Sequence, residues 1–418
     1  MNAWSMLSGC AVLAAAAPVA ADATNRNFLP FGERAAMLAN AGITSANSEA
    51  VYYNPANLAR IGHSELSVSG STFLRFELAT DAAISLQGVD QPFDASGFVI
   101  IPSTIVSTYD LGSWTLATAV LVPDTFELSN RVTFQSPDLR ITQLVDQRRQ
   151  SLWLGAGLAR SLGPDLSIGV SAFVSNETEA ETSFVRVESG DPATVLAEQL
   201  TRSDITVRNL SAIVGVMWQP SPALGIGVRI HTATVKLTGS GEIYQSAVQV
   251  GTDMDMFAER VIEDIDVARP LPWDLGLGIS YRPLPTLSLL VDASVQLPAS
   301  LTTMDDAVAG KTRLELDLAP RVGIGAEWEL ATSRWLRLGL MYNRSALPAA
   351  DEPGEPAPEH YAGATAGFAW QKKRTTTSFG LFYMMASPRF IVEGTDPPRA
   401  TEARARLYGA LFAVSYSL

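Results

Sequence analysis

The chain is a succession of short segments of period-2 alternation, and the links between them alternate between short and long. Alternation of apolar with mixed positions marks strands. Leu166, Ile168, Val170, Ala172 and Val174 alternate with Ser167, Gly169, Ser171, Phe173 and Ser175. Leu336, Leu338, Leu340 and Tyr342 alternate with Arg337, Gly339, Met341 and Asn343. Fourteen such segments can be marked, near residues 65–78, 98–109, 113–122, 148–160, 165–177, 205–219, 223–238, 272–282, 286–300, 314–329, 334–344, 361–371, 375–387 and 404–418. The short links are turn sequences such as Asp110-Leu111-Gly112, Gly163-Pro164-Asp165 and Pro283-Leu284-Pro285. An even strand number, with tight turns at one end and long loops at the other, is the pattern of a membrane barrel. The expected fold is all-β, a 14-stranded antiparallel transmembrane β-barrel.

Composition excludes the main alternatives. Charged residues make up 17% of the chain, against about 25% in an ordinary soluble domain. Hydrophobic residues make up 47%, yet no internal stretch is long and unbroken enough for a membrane helix. The net charge of −13 makes nucleic acid an unexpected partner. One Cys and three dispersed His, at 63, 231 and 360, offer neither a disulfide framework nor a metal site, so no metal and no cofactor are expected.

The ends and the tryptophans fit the same picture. Residues 1–21 lack charged side chains, have an apolar centre and end in Val19-Ala20-Ala21, which reads as a secretory signal removed before Asp22. Export to the bacterial outer membrane is expected. Trp114, Trp218, Trp328, Trp335 and Trp370 fall beside short turns, and Trp153 and Trp273 where long links meet strands, as expected for two interfacial girdles. Tyr408, Ala410, Phe412, Val414, Tyr416 and Leu418 alternate to the last residue, so a final strand is expected to close the barrel, whose edges cannot be left open in lipid.

Residues 22–63 do not read as barrel strand, and the lumen is the natural place for them; residues 64–418 would then form the barrel. Here the sequence resembles a family. Gly32-Glu33-Arg34-Ala35-Ala36-Met37, Ala41-Gly42 and the run from Ser48 through Asn54-Pro55-Ala56 to Ala59 look like the N-terminal hatch of the FadL-type long-chain fatty-acid outer-membrane transporters. Leu271-Pro272-Trp273 and Arg321-Val322-Gly323 match further points of the family pattern. The resemblance implies uptake of hydrophobic compounds, fatty acids first. Loops capture the ligand, the lumen binds it, the hatch shifts, and release is sideways through a gap at a kinked third strand. It also implies outer-membrane lipids and the barrel-assembly machinery as partners.

The residues that would carry this are read as follows. Phe28, Phe31, Asn54, Pro55 and Ala56 are hatch or gate candidates. Pro123, unable to donate to a ladder, is the candidate for the lateral opening. By parity Phe173, Leu290, Met341, Phe382 and Met384 point into the lumen and suit an apolar solute. Residues 192–202 and 248–267 show helical spacing, making Leu196, Leu200, Met254, Met256 and Phe257 candidates for a greasy landing site. Arg321 matches a position that could hold a carboxylate. However, Glu177, Glu179 and Glu181 stand where the family carries basic residues, which leaves room for a neutral hydrocarbon or aromatic ligand. A structural or protein-export role, a polar-solute channel and a barrel hydrolase using His231 are the rivals; catalysis is not expected.

Overall fold

The computed structural model describes residues 29–86, 88–135, 139–189, 195–250, 256–306, 310–350, 357–392, 395 and 399–418. The strands in chain order are β1 (Glu65–Leu86), β2 (Val89–Asp110), β3 (Trp114–Gln135), β4 (Leu139–Ser161), β5 (Leu166–Ser189) and β6 (Val195–Ser221). They continue with β7 (Leu224–His231), β8 (Val235–Gln249), β9 (Met256–Val267), β10 (Asp274–Leu284), β11 (Leu287–Gln296), β12 (Ala299–Asp306) and β13 (Gly310–Leu316). The last are β14 (Ala319–Ala331), β15 (Arg334–Asn343), β16 (Tyr361–Lys372), β17 (Thr375–Ala386), β18 (Arg389–Val392) and β19 (Arg399–Ser417). Five barrel strands are interrupted once each, as β7/β8, β9/β10, β11/β12, β13/β14 and β17/β18. The 19 segments therefore make 14 antiparallel strands. Pairing of β1 with β19, from Glu65–Ser417 to Thr80–Ala403, closes the ring.

Side-chain parity explains why this sheet closes. On β5, Leu166, Ile168, Val170 and Val174 are exposed, while Ser167, Ser171, Phe173 and Ser175 are buried. The same division holds on β10, where Leu275, Leu277 and Ile279 face out, and on β15, where Leu338 and Leu340 do. A continuous apolar belt of this size has no place in water and matches the lipid face of a barrel. Trp114, Trp218, Trp328 and Trp370 are outward at the short-turn end, as a girdle requires. The short turns are tight, with Gly112, Ser333 and Lys373 at positive φ.

Four expectations are corrected. The first six strands are longer than the segments marked in the sequence: β1 to β6 run 22–27 residues and continue past the membrane as paired hairpins where loops were expected. The two helical segments are strands: residues 195–202 belong to β6 and pair with β5 and β8, and residues 256–267 form β9. Pairing that propagates outward from the membrane satisfies each backbone group, which outweighs a helical spacing with nothing to pack on. Leu196 and Leu200 are half-buried there and Phe257 is exposed; Met256 begins β9, and Met254 lies outside the described residues. Trp153 is not interfacial but buried at 3% exposure on the inner face. Pro123 does not end the third strand but sits within β3.

The belt makes a direct prediction. Leu340→Arg, at 62% exposure on the outer face, should destabilise the barrel folded in bilayers by about 2–4 kcal/mol. Urea titration of refolding in lipid vesicles reads this, and no loss would mean that this face does not meet lipid.

Candidate functional site

The described N-terminal segment lies inside the barrel. It carries α1 (Arg34–Met37), α2 (Ala50–Tyr53) and a 3-10 turn (Pro55–Arg60). The two α-helices are of one turn each, so packing and not propensity holds them. The barrel makes room through inward-facing glycines. A side chain at Gly157 would crowd Val51 and Leu58; one at Gly169 would strike Pro55; at Gly215, Asn54; at Gly227 and Gly278, Ile43. On the far side, Gly323 and Gly339 face Ala39, Gly325 faces Leu38, and Gly367 and Gly380 face Met37. Contacts on strands so far apart around the ring place the segment within the lumen.

Polar groups fix it there. Asn54 Oδ1 accepts from Ala56 N at 3.2 Å, capping the 3-10 turn, and its Nδ2 donates to Ile43 O and Val216 O at 2.9 and 3.1 Å. Pro55 occupies the first position of the turn, where its missing N–H costs nothing. Ile43 N donates to Asp292 Oδ2 at 2.7 Å, and Thr365 Oγ1 donates to Met37 O at 2.9 Å. Arg34 holds Glu327 through two 2.9 Å bonds, and Arg337 Nε donates to the same carboxylate at 2.8 Å. Glu33 accepts from Ser378 Oγ at 2.7 Å. Glu49 accepts from Ala35 N at 3.1 Å while its other oxygen has no partner. Burial first, and the nearby Glu33 carboxylate second, push the Glu49 carboxyl up to about 8. A cavity of about 270 Å³ remains on the short-turn side, lined by Arg34, Thr44, Arg60, Gln219, Arg282 and Glu327.

Arg321 is committed. With Arg229 it clamps Asp274, which has no exposure at all, and its Nε donates to Ser294 Oγ at 3.2 Å. Asp292 lies on the neighbouring wall, so the two guanidiniums face two carboxylates. A ligand carboxylate would have to displace Asp274 from a pair whose partners are buried.

The lumen above is split into two kinds of wall. One is apolar: Leu74, Phe76, Leu78, Phe126, Leu128, Met341, Phe382, Met384 and Leu407 form one buried cluster with Leu29 and Met37 of the segment. Phe76 and Phe126 meet edge to face at 5.0 Å. Beside it, Tyr52 gathers Phe31, Tyr53, Trp153, Phe173 and His231 with ring centroids 4.9–6.3 Å away. The other wall, on β4 to β6, is polar, with Gln147, Arg149, Glu177, Glu179, Glu181 and Asn209 facing in.

The barrel wall itself lapses at one level. Between β2 and β3, pairing stops after Thr104–Leu121 and resumes only at Ser96–Ser129. Pro102 and Pro123 each lie two residues beyond the last pair, and neither can donate a hydrogen bond. The β1–β2 and β3–β4 ladders shift register at the same level, at residues 69–74 and 121–124. The break ends where Gly97 approaches the Glu127 carbonyl so closely that any side chain would collide.

The expected residues fall as follows. Phe31, Asn54, Pro55 and Ala56 are in the lumenal segment; Phe28 and the signal lie outside the described residues. Phe173, Leu290, Met341, Phe382 and Met384 are all buried on inner faces, but in separate clusters: Met341, Phe382 and Met384 together, Phe173 with the aromatics, Leu290 against Leu38 and Ala41. Pro123 is at the wall break. Sequence reasoning missed Arg229, Asp274, Asp292 and the glycines. Gly155-Ala156-Gly157, Gly225-Ile226-Gly227, Gly276-Leu277-Gly278 and Gly323-Ile324-Gly325 did carry a signal: glycine on one face of a strand and an apolar residue on the other.

Two predictions follow from the buried charges. Asp274→Ala removes the carboxylate that two buried guanidiniums share and should cost about 3–5 kcal/mol, whereas Arg229→Met/Asp274→Leu/Arg321→Met should regain most of it; urea unfolding followed by the heat-dependent gel shift measures both. Because the Glu49 carboxyl titrates near 8 when buried and near 4.5 when free, docking of the segment is favoured at low pH and weakens between pH 4.5 and 8. A spin label at the exposed Ala46 should gain mobility over that range, and Glu49→Gln should abolish the dependence.

No protein-family model matches the sequence, and no curated protein matches it significantly. Solved structures do match in fold. A Pseudomonas aeruginosa FadL homologue is 13% identical, over 94% of this chain and 99% of that one, with a TM-score of 0.64. The Pseudomonas putida toluene transporter TodX is 12% identical over 94% and 100%, at 0.68. The Ralstonia pickettii toluene transporter TbuX is 15% identical over 94% and 99%, at 0.60. The chain therefore has the fold of the FadL-type outer-membrane channels, fourteen antiparallel strands closed into a barrel.

Proposed function

We propose that this barrel takes up hydrophobic compounds across the outer membrane and releases them sideways. The observation that carries the reading is one continuous feature: a buried apolar wall, from Phe76, Leu78 and Leu407 through Phe126 and Leu128, that borders the break in the β2–β3 ladder. The N-terminal segment occupies the axial route, so a ligand that is apolar throughout has a greasy path ending at an opening toward lipid. Burial of such a ligand against this wall contributes roughly 25 cal/mol per Å² of apolar area. Phe31 and Leu29 are among the side chains that the segment packs on the wall, so a shift of the segment would change the room available.

Long-chain fatty acids are one substrate class under this reading. Neutral hydrocarbons and aromatics are the second, favoured by the commitment of Arg321 to Asp274 and by the ring cluster around Tyr52. Two of the structurally similar proteins are toluene transporters.

The test is uptake of oleate and of toluene by cells lacking their own transporter, with Ser103→Cys/Val122→Cys placed across the break. Both positions lie one residue beyond the last β2–β3 pair. Uptake should appear with the unmodified protein, fall at least tenfold when the cysteines are cross-linked, and return on reduction. Uptake unchanged by the cross-link would exclude the lateral route. Failure to take up either compound would exclude hydrophobic uptake.

A further inference from the structure

The polar wall of the lumen is not neutral, and its unmatched amide and carboxylate oxygens share one chemistry. The pairing of β4, β5 and β6 sets Gln147 opposite Glu181, Arg149 opposite Glu179 and Ser175 opposite Asn209. Four carboxylates face this region: Asp124, Glu177, Glu179 and Glu181. Two guanidiniums answer them, and both are used. Arg149 Nη2 lies 2.8 Å from Asp124, and Arg269 Nη2 lies 2.7 Å from Glu179. Glu177 receives only long bonds, from Ser175 Oγ at 3.5 Å and Asn209 Nδ2 at 3.4 Å. Neither Glu177 nor Glu181 has an ion-pair partner within 4 Å among the described residues.

A second observation is independent of the acidic count. Gln147 and Asn209 are 5% and 1% exposed, yet Gln147 Oε1 and Asn209 Oδ1 have no hydrogen-bond partner among the described residues, and neither has Asp124 Oδ1. All three are acceptors. A buried acceptor left unmade costs about 1–3 kcal/mol, so these three oxygens call for a donor. A carboxylate ligand would add acceptors and negative charge where both are already in excess.

The wall also has an apolar border. Phe126 pairs in register with Arg149, and Leu128 with Gln147, so the oily and acidic surfaces meet along β3 and β4. On the outer face of β5 the apolar positions stop at Val174 and give way to Asn176 and Thr178. The acidic patch thus stands at the outer edge of the membrane, where an arriving ligand is met first.

We propose that the mouth of the lumen selects amphipathic ligands whose polar end donates hydrogen bonds, an ammonium before a hydroxyl, with Glu177 and Glu181 taking the charge and Gln147 and Asn209 the remaining N–H or O–H groups. The apolar end lies along Phe126 and Leu128. This inference rests on the hydrophobic-uptake reading and refines its substrate class.

The experiment compares three probes with the same phenylbutyl tail: 4-phenylbutylamine, 4-phenylbutanol and 4-phenylbutyrate. Binding to the full chain, held in amphipol, is measured by titration calorimetry for the unmodified protein and for Glu177→Gln/Glu181→Gln. Assembly of the variant is checked by its heat-dependent gel shift. The amine should bind about tenfold or more tighter than the butyrate, as expected for charge-assisted hydrogen bonds, with the alcohol between them. In the variant the amine's advantage should fall to about twofold or less, and alcohol binding should be unchanged. Butyrate binding as tight as the amine, or an amine preference that survives in the variant, would overturn the proposal while bound alcohol leaves hydrophobic uptake standing. Absence of binding by all three probes would overturn both.

Discussion

Lipid offers no hydrogen bonds, so the backbone of every membrane-crossing segment must find its partners in neighbouring strands. The rest of the structure follows from this constraint. It requires the β1–β19 pairing that closes the ring, and it fixes the parity by which serines and glycines turn inward and leucines outward. It also gives the lapse between β2 and β3 its meaning. Within one level, two prolines withhold donors, the β2–β3 pairing lapses and the two flanking ladders shift register. A wall with unmade bonds at one place is locally the weakest part of the barrel, and Gly97 limits its extent by bringing the backbones together again.

The lumen solves a different problem. A segment with two single-turn helices has little stability of its own and must be held by the wall. Inward glycines on β4, β5, β6, β7, β10, β14, β15, β16 and β17 let its backbone approach. Asn54, Arg34 and Glu33 supply bonds with direction. The charges are buried but paired, Arg34 and Arg337 on Glu327 and Arg229 and Arg321 on Asp274. Such pairs specify position more than they add stability, since desolvation offsets much of the attraction. Glu49 is the exception, a buried carboxyl with one oxygen unpartnered among the described residues, and it is the group through which docking is expected to respond to pH.

Above the segment, the lumen is divided into apolar and acidic walls, and this division would give the proposed passage a direction. The apolar wall ends at the seam, and the acidic wall ends at the mouth. Under the proposed reading, a ligand entering at the mouth would first meet Glu177 and Glu181 with its polar end and then bury its apolar end against Phe126, Leu128 and Phe76. Direction in such a passage comes from the order in which groups are met.

Much of the fold was legible in the residues. Alternation from Leu166 to Ser175 gave the strand and its inner face, and the spacing of turns gave fourteen strands, because both are local properties of period 2. The inward placement of Phe173, Leu290, Met341, Phe382 and Met384 was legible for the same reason. The extended hairpins were not, since residues 192–202 and 248–267 carry weak helical spacing and only pairing with a neighbour decides between helix and strand. Arg321 read as a candidate for a ligand carboxylate because its partner Asp274 is 47 positions away, and Trp153 read as interfacial from its place at a strand end, although its parity turns it inward. Sequence by itself determined the strand count, the lipid-facing belt and the acidic character of the mouth. Only the tertiary structure decided which charges are already spent, where the wall is unbonded and which glycines admit the N-terminal segment, because each depends on contacts between residues far apart in the chain.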